Sequence, residues 1–212
     1  MTAPATAPFE LVVVGTSAGG LSALGRLVGA LPKSFPLPIV VVQHRSKDSA
    51  DDTMMQVLQS NTELVVREAE DKDPLVAGHV FLAPPDYHLL VDVGYLALSV
   101  DEVVAFSRPS IDVLFETAAD CYGPSVIGVL LTGANQDGTR GLERIKAAGG
   151  FVIVQDPATA ESPTMPRSAM ATVRVDRVLT LERLAQSLIE LAALGSSERD
   201  AARAKDSPAV RV

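Results

Sequence analysis

The chain lacks tryptophan altogether and has only one cysteine and three histidines in 212 residues. A single cysteine cannot form an intrachain disulfide framework, so stability must come from a packed core. Cys121 lies in an apolar-periodic stretch, residues 111–122, and reads as a small buried core residue rather than a reactive thiol. With so few histidines and none at ligand spacing, no transition-metal site and no cofactor are expected. Aromatic residues make up 4% of the chain and hydrophobic residues 47%, so Val, Leu, Ile and Ala must fill the interior. That is the composition of parallel sheets buried on both faces. No apolar run is long enough to span a bilayer, and no positive charge precedes the short first apolar stretch. Neither a membrane span nor a signal peptide is read, and a cytoplasmic protein is expected. Basic residues are outnumbered, 18 Lys and Arg against 26 Asp and Glu, for a net charge of −8 with no basic cluster. Binding to a nucleic-acid backbone or to an anionic membrane surface is therefore not expected.

What is present is a regular alternation. Residues 10–15 (ELVVVG), 38–43 (PIVVVQ), 64–68, 126–132 and 151–155 are short apolar runs of the kind that form buried strands. Helical spacing appears in residues 21–31, 49–60, 111–122, 139–148 and 181–194, and a short strand is expected near 175–179. Such alternation predicts right-handed crossovers and a doubly wound, mostly parallel α/β sheet with helices on both faces. Between 79 and 99 the rhythm changes. Runs 79–83, 87–91 and 95–99 are separated by gaps too tight for a crossover helix, and they are expected to form an appended antiparallel ribbon. Residues 9–194 are read as one domain. The first eight residues and residues 195–212 are read as disordered.

Three polar sites stand where buried strands end. The first strand runs into Gly15-Thr16-Ser17-Ala18-Gly19-Gly20, the second ends at Gln43-His44, and the run 126–132 leads into Gly133-Ala134-Asn135-Gln136-Asp137-Gly138. Ligands of open parallel sheets bind outside the carboxyl ends of the strands. A hydroxyl, an imidazole and a carboxylate gathered there would suit nucleophilic catalysis: His44 takes the Ser17 proton, and Asp137 orients the ring. A helix following the glycine turn would favour negative charge beside Ser17. Each residue also has a plainer reading. A serine in a glycine-rich turn suits a phosphate loop, a histidine at a strand end can be structural, and Asp before Gly is common in turns.

These blocks, together with AGHVFLAPPDYHL, RPSIDVLF and TMPRSAM, resemble the catalytic domain of the CheB-type protein-glutamate methylesterases over residues 11 to 194. The resemblance implies a serine hydrolase that removes methyl esters from glutamate side chains of a methyl-accepting chemotaxis receptor or a related signalling protein. It also implies glutamine deamidation as a second activity. Ser17 matches the family nucleophile, His44 its base and Asp137 its acid, with Gly15, Thr16, Ala18, Gly19, Gly20 and Ala134 in the supporting turns and oxyanion region. Ala18 stands where the family usually has Thr, and Ala134 and Asn135 stand where it has Met and Gly. Only about eight residues precede the first strand, so no N-terminal receiver domain is expected in this chain, and a separate receiver protein becomes a candidate partner. Two other readings compete: an interaction module with weak catalysis, and a nucleotide-binding module. The latter is opposed by Ser17 where a dinucleotide fingerprint wants glycine, and by Gln-His where it wants an acid. His79 and His88 are read as structural, Arg108 and Arg167 as solvated, and residues 156–167 as a substrate-facing loop.

Overall fold

Residues Leu11–Thr16 are buried without exception and form β1, the central strand of the computed structural model, which describes residues 9–44, 51–104 and 106–194. The ends read as disordered lie outside the described residues. Alternate β1 residues serve opposite cores. Val12 and Val14 pack into one hydrophobic cluster, and Leu11 and Val13 into a second. This two-sided burial is why the strand reads as an unbroken apolar run.

The chain continues through α1 (Gly20–Gly29), β2 (Ile39–Gln43), α2 (Asp51–Asn61), β3 (Val65–Glu68) and β4 (His79–Leu82). A hairpin of β5 (His88–Asp92) and β6 (Tyr95–Ser99) follows, then α3 (Ile111–Tyr122), β7 (Val126–Leu130) and α4 (Thr139–Ala147). The last elements are β8 (Phe151–Gln155), α5 (Thr164–Thr172), β9 (Arg177–Leu179) and α6 (Leu181–Ala193). Seven strands form one sheet in the order β3-β4-β2-β1-β7-β8-β9, and every neighbouring pair is parallel. The winding reverses at β1, with β2 on one side and β7 on the other. Residues of α1 and α6 join the first core; residues of α3, α4 and α5 join the second. The expected doubly wound α/β architecture is present.

Two elements differ from the expectation. The run 79–82 is not part of the ribbon: β4 pairs parallel between β3 and β2. Val80 and Leu82 face one core and Phe81 the other, and only a central strand can bury both faces. The β3–β4 crossover contains no helix. It is held instead by the Asp73 carboxylate, which accepts hydrogen bonds from Arg67 and from the Glu70 amide (2.7 Å). The antiparallel hairpin thus has two strands, turning at Val93-Gly94, with Gly94 at φ +84°. The second difference is α5, which occupies part of the stretch read as a loop. Its apolar positions Met165 and Ala169 are buried, but Pro166 and the Thr and Ser around them hide the helical period.

Candidate active site

Pairing of two adjacent strands sets Ser17 and His44 at neighbouring strand ends. Parallel pairing of β1 with β2 ends at Thr16 opposite Gln43, and the His44 amide donates to the Thr16 carbonyl at 3.1 Å. Ser17 and His44 therefore occupy the next rung, on strands about 4.8 Å apart. Both continue the alternate positions (Leu11, Val13; Val40, Val42) that serve the core beneath α3. Gln43 joins the two strand ends: its Nε2 donates to the Ser17 and His44 carbonyls, each at 2.9 Å.

The Ser17 turn is also tied to β7. The Thr132 carbonyl accepts from the Ser17 amide and from Thr16 Oγ1, both at 2.9 Å. The Thr132 hydroxyl donates to the Ala18 carbonyl at 2.8 Å and accepts from the Ser162 amide at 2.8 Å. One threonine thus joins the serine turn to the 156–163 loop. Glycine is required at 19, where φ is +78° and the Glu161 side chain rests where a Cβ would lie. Helix α1 starts at the next residue, with the Gly20 amide donating to the Ser17 carbonyl. The positive end of its dipole therefore lies beside Ser17.

Asp137 approaches from the turn after β7. His44 Nε2–H donates to Asp137 Oδ2 at 2.7 Å, with the imidazole side chain 13% exposed and the carboxylate fully buried. The same carboxylate accepts from the Ser110 hydroxyl (3.0 Å), the Ile111 amide (2.8 Å), the Asp112 amide (3.0 Å) and its neighbour Gly138 (3.0 Å). Ile111 and Asp112 open α3, so Asp137 caps that helix from outside. Burial pushes its pKa up, but the bonds from His44 and from the Asp112 and Ile111 amides outweigh burial. They hold the carboxyl below the usual carboxylate value. An ionised carboxylate can only accept, so His44 Nε2 carries a proton.

Residues 12–188 match the family model described as CheB methylesterase. The chain belongs to the CheB methylesterase family. A relative from Leptospira interrogans is 47% identical over 184 residues, covering 86% of this chain and 95% of its own length. The protein-glutamate methylesterase/protein-glutamine glutaminase 2 of Anaeromyxobacter dehalogenans is 44% identical over 190 residues, covering 89% of this chain and 55% of its own. Among solved structures, the crystal structure of the Thermotoga maritima CheB methylesterase catalytic domain superposes with a TM-score of 0.83 at 36% identity. It covers 86% of this chain and 98% of that one.

Gly15 and Thr16 are buried in β1, whereas Ala18 and Ala134 are exposed. His88, 2% exposed, accepts the Ser110 amide on Nδ1 (3.2 Å) and donates from Nε2 to the Glu102 carbonyl (3.0 Å). Both ring nitrogens are engaged with backbone, and His88 supports the residue that bonds Asp137. His79 lies at the start of β4, opposite the strand ends that carry the site, stacked on Phe81. Cys121 is half-buried rather than fully buried; it donates to the Val91 carbonyl, and burial raises its thiol pKa. Arg167 is exposed. Arg108 is not solvated: it binds the Asp86 carboxylate (2.6 Å) and the carbonyls of Val100 and Asp101. The loop it clamps carries a fully exposed Phe106 at φ +64°. Beside the acid turn a cleft is lined by Phe106, Asn135, Gln136, Thr139, Arg140 and Thr172.

Sequence reasoning did not single out Gln43, Ser110, Asp112 or Thr132. Gln43 and Thr132 carry one usable signal, a polar residue ending an otherwise apolar strand. For Ser110 and Asp112 the partners are distant in sequence, and nothing local marks them. Among the described residues no helix is long and apolar enough to cross a membrane, and no cluster of His, Cys, Asp and Glu could hold a metal ion.

Proposed function

We propose that this chain hydrolyses γ-methyl esters of glutamate side chains on a methylated signalling protein of the chemoreceptor kind, with Ser17 as nucleophile, His44 as base and Asp137 as acid. The observation that carries the reading is the buried, ionised Asp137 holding Nε2 of His44, which stands at the end of the strand next to the one that ends in Ser17. His44 Nδ1 accepts the Ser17 Oγ proton as Oγ bonds to the ester carbon. The developing oxyanion lies near the N-terminus of α1. Collapse expels methoxide, which takes that proton and leaves as methanol. Water, deprotonated in turn by His44, then cleaves the glutamyl-serine ester and regenerates Ser17. With an amide in place of the ester the leaving group is ammonia, which accounts for the glutaminase activity in the relatives' names. The family match favours this reading over a nucleotide-binding module. The single cysteine accords with a reducing compartment, and we place the enzyme in the cytoplasm, with a separate receiver protein as its candidate regulator.

The test is methanol release from a methylated receptor. The intact chain should release methanol, and Ser17→Ala should lose activity by on the order of 10⁴-fold or more while keeping its circular dichroism and melting temperature. A Ser17→Ala protein that stays active would refute the assignment.

A further inference from the structure

Asn135 lies against the base on its unoccupied side. Its Oδ1 accepts the Asp137 amide at 3.2 Å, which fixes the carboxamide orientation, so the group facing His44 Nδ1 at 3.4 Å is the Nδ2 donor. Nε2 is committed to Asp137 and carries the ring proton. An amide N–H faces Nδ1, the arrangement that fits a lone pair on that nitrogen. Among the described residues, the charged and titratable groups tied to this ring or to its partner are the Asp137 carboxylate, Asp112 of α3, whose amide bonds that carboxylate, and His88, which accepts the amide of the Ser110 that bonds it; Ser17 stands on the neighbouring strand end, and Glu161 covers Gly19. None of the others offers a donor fixed on Nδ1.

We propose that Asn135 is a positioning residue for the hydrolysis: its Nδ2–H holds the Nδ1 lone pair of His44, keeping the imidazole neutral and turned with that nitrogen toward Ser17. A donor on a lone pair favours the unprotonated ring, because protonation would set two N–H groups against each other. The long contact leaves room for the lone pair to be shared with the incoming hydroxyl. Asn135 would thus preserve the base form without displacing the nucleophile. The inference deepens the esterase reading and rests on it for its catalytic meaning, but the contact with His44 is measurable on its own.

Two substitutions separate the donor from the turn. Asn135→Asp keeps an oxygen for the Asp137 amide and replaces the donor with an anion; Asn135→Ala removes both without adding charge. The His44 ring is followed by nitrogen-15 NMR from about pH 5 to about pH 9, assigned with His44→Gln, alongside methanol-release profiles. The wild-type ring should be the Nε2–H tautomer. In Asn135→Ala the His44 midpoint should rise by about half to one pH unit, and in Asn135→Asp further, with the acidic limb of kcat/KM moving equally. On that acidic limb kcat/KM should then fall roughly three- to tenfold, with a much smaller change on the alkaline plateau. An unmoved midpoint in Asn135→Ala, or movement in Asn135→Asp alone, would overturn the inference, since a new charge acts by mere proximity. If the midpoints move but the wild type releases no methanol, the esterase reading fails while the contact stands.

Discussion

Asp112 and Asp137 each cap the helix that the other introduces. Asp137 accepts the Asp112 amide at the start of α3, and Asp112 accepts the Gly141 amide at 2.7 Å in the first turn of α4, just beyond Asp137. The reciprocal bonds fasten the turn that carries the acid to the helix beneath it. They also place two carboxylates close together, only one of which has the histidine.

That asymmetry gives a pH prediction. Burial raises the Asp112 pKa to about 6, with the Asp137 charge adding to the rise and the Gly141 amide opposing it. A carboxyl raised in the folded state is favoured protonated, so its contribution to stability declines as pH climbs from near 4 through about 6. Asp112→Asn retains an acceptor for Gly141 and does not ionise. Its melting temperature relative to wild type should therefore improve between acidic and neutral pH. A difference that stays flat across that range would contradict the raised carboxyl.

Asp137→Asn should keep the fold near neutral pH and lower kcat on the order of 10⁴-fold, because an amide no longer stabilises the imidazolium. The Asp137 pKa lies below its ordinary value, so the stability it supplies is present above the unfolded-state value and is lost as pH falls below it. Denaturant titrations of the wild type and Asp137→Asn should converge in strongly acidic solution. Divergence there would count against the ionised carboxylate.

Thr132→Val removes the hydroxyl that joins Ala18 to Ser162 and leaves a half-buried amide without its acceptor. The expected cost is about 1–3 kcal/mol, read as a fall in melting temperature. Methanol release should fall as well, since the serine turn keeps its bonds to the Thr132 carbonyl but loses the hydroxyl bond to Ala18 that joins it to the 156–163 loop. Unchanged stability and rate would show that the hydroxyl is dispensable.

Gly133→Ala sets a methyl where Met165 Sδ lies, in a site with no free space. Overpacking of this kind costs about 1–3 kcal/mol. Met165→Ala alone should also destabilise, by opening a cavity. The double variant should be more stable than the sum of the two single changes allows, and strict additivity in a double-mutant cycle would show that the two residues do not share the space.

Much of the fold was legible because strands buried on both faces must be apolar throughout, as in Leu11–Thr16 and Phe151–Gln155, and because helices between them keep a helical period. The same local signal misassigned 79–82: composition shows that a strand is buried but not which neighbours bury it. It also missed α5, whose short apolar face is interrupted by polar residues and proline.

For the site, the residue types were readable at three strand ends, since chemistry-bearing side chains interrupt apolar runs there. Tertiary structure alone decided that His44 meets Asp137 through Nε2, that α3 lends its first amides to the acid, and that Asn135 turns a donor toward the base. The physical reason is range. Hydrophobic period and turn chemistry act over a few residues along the chain, whereas hydrogen-bond geometry depends on which distant segments the sheet order makes neighbours.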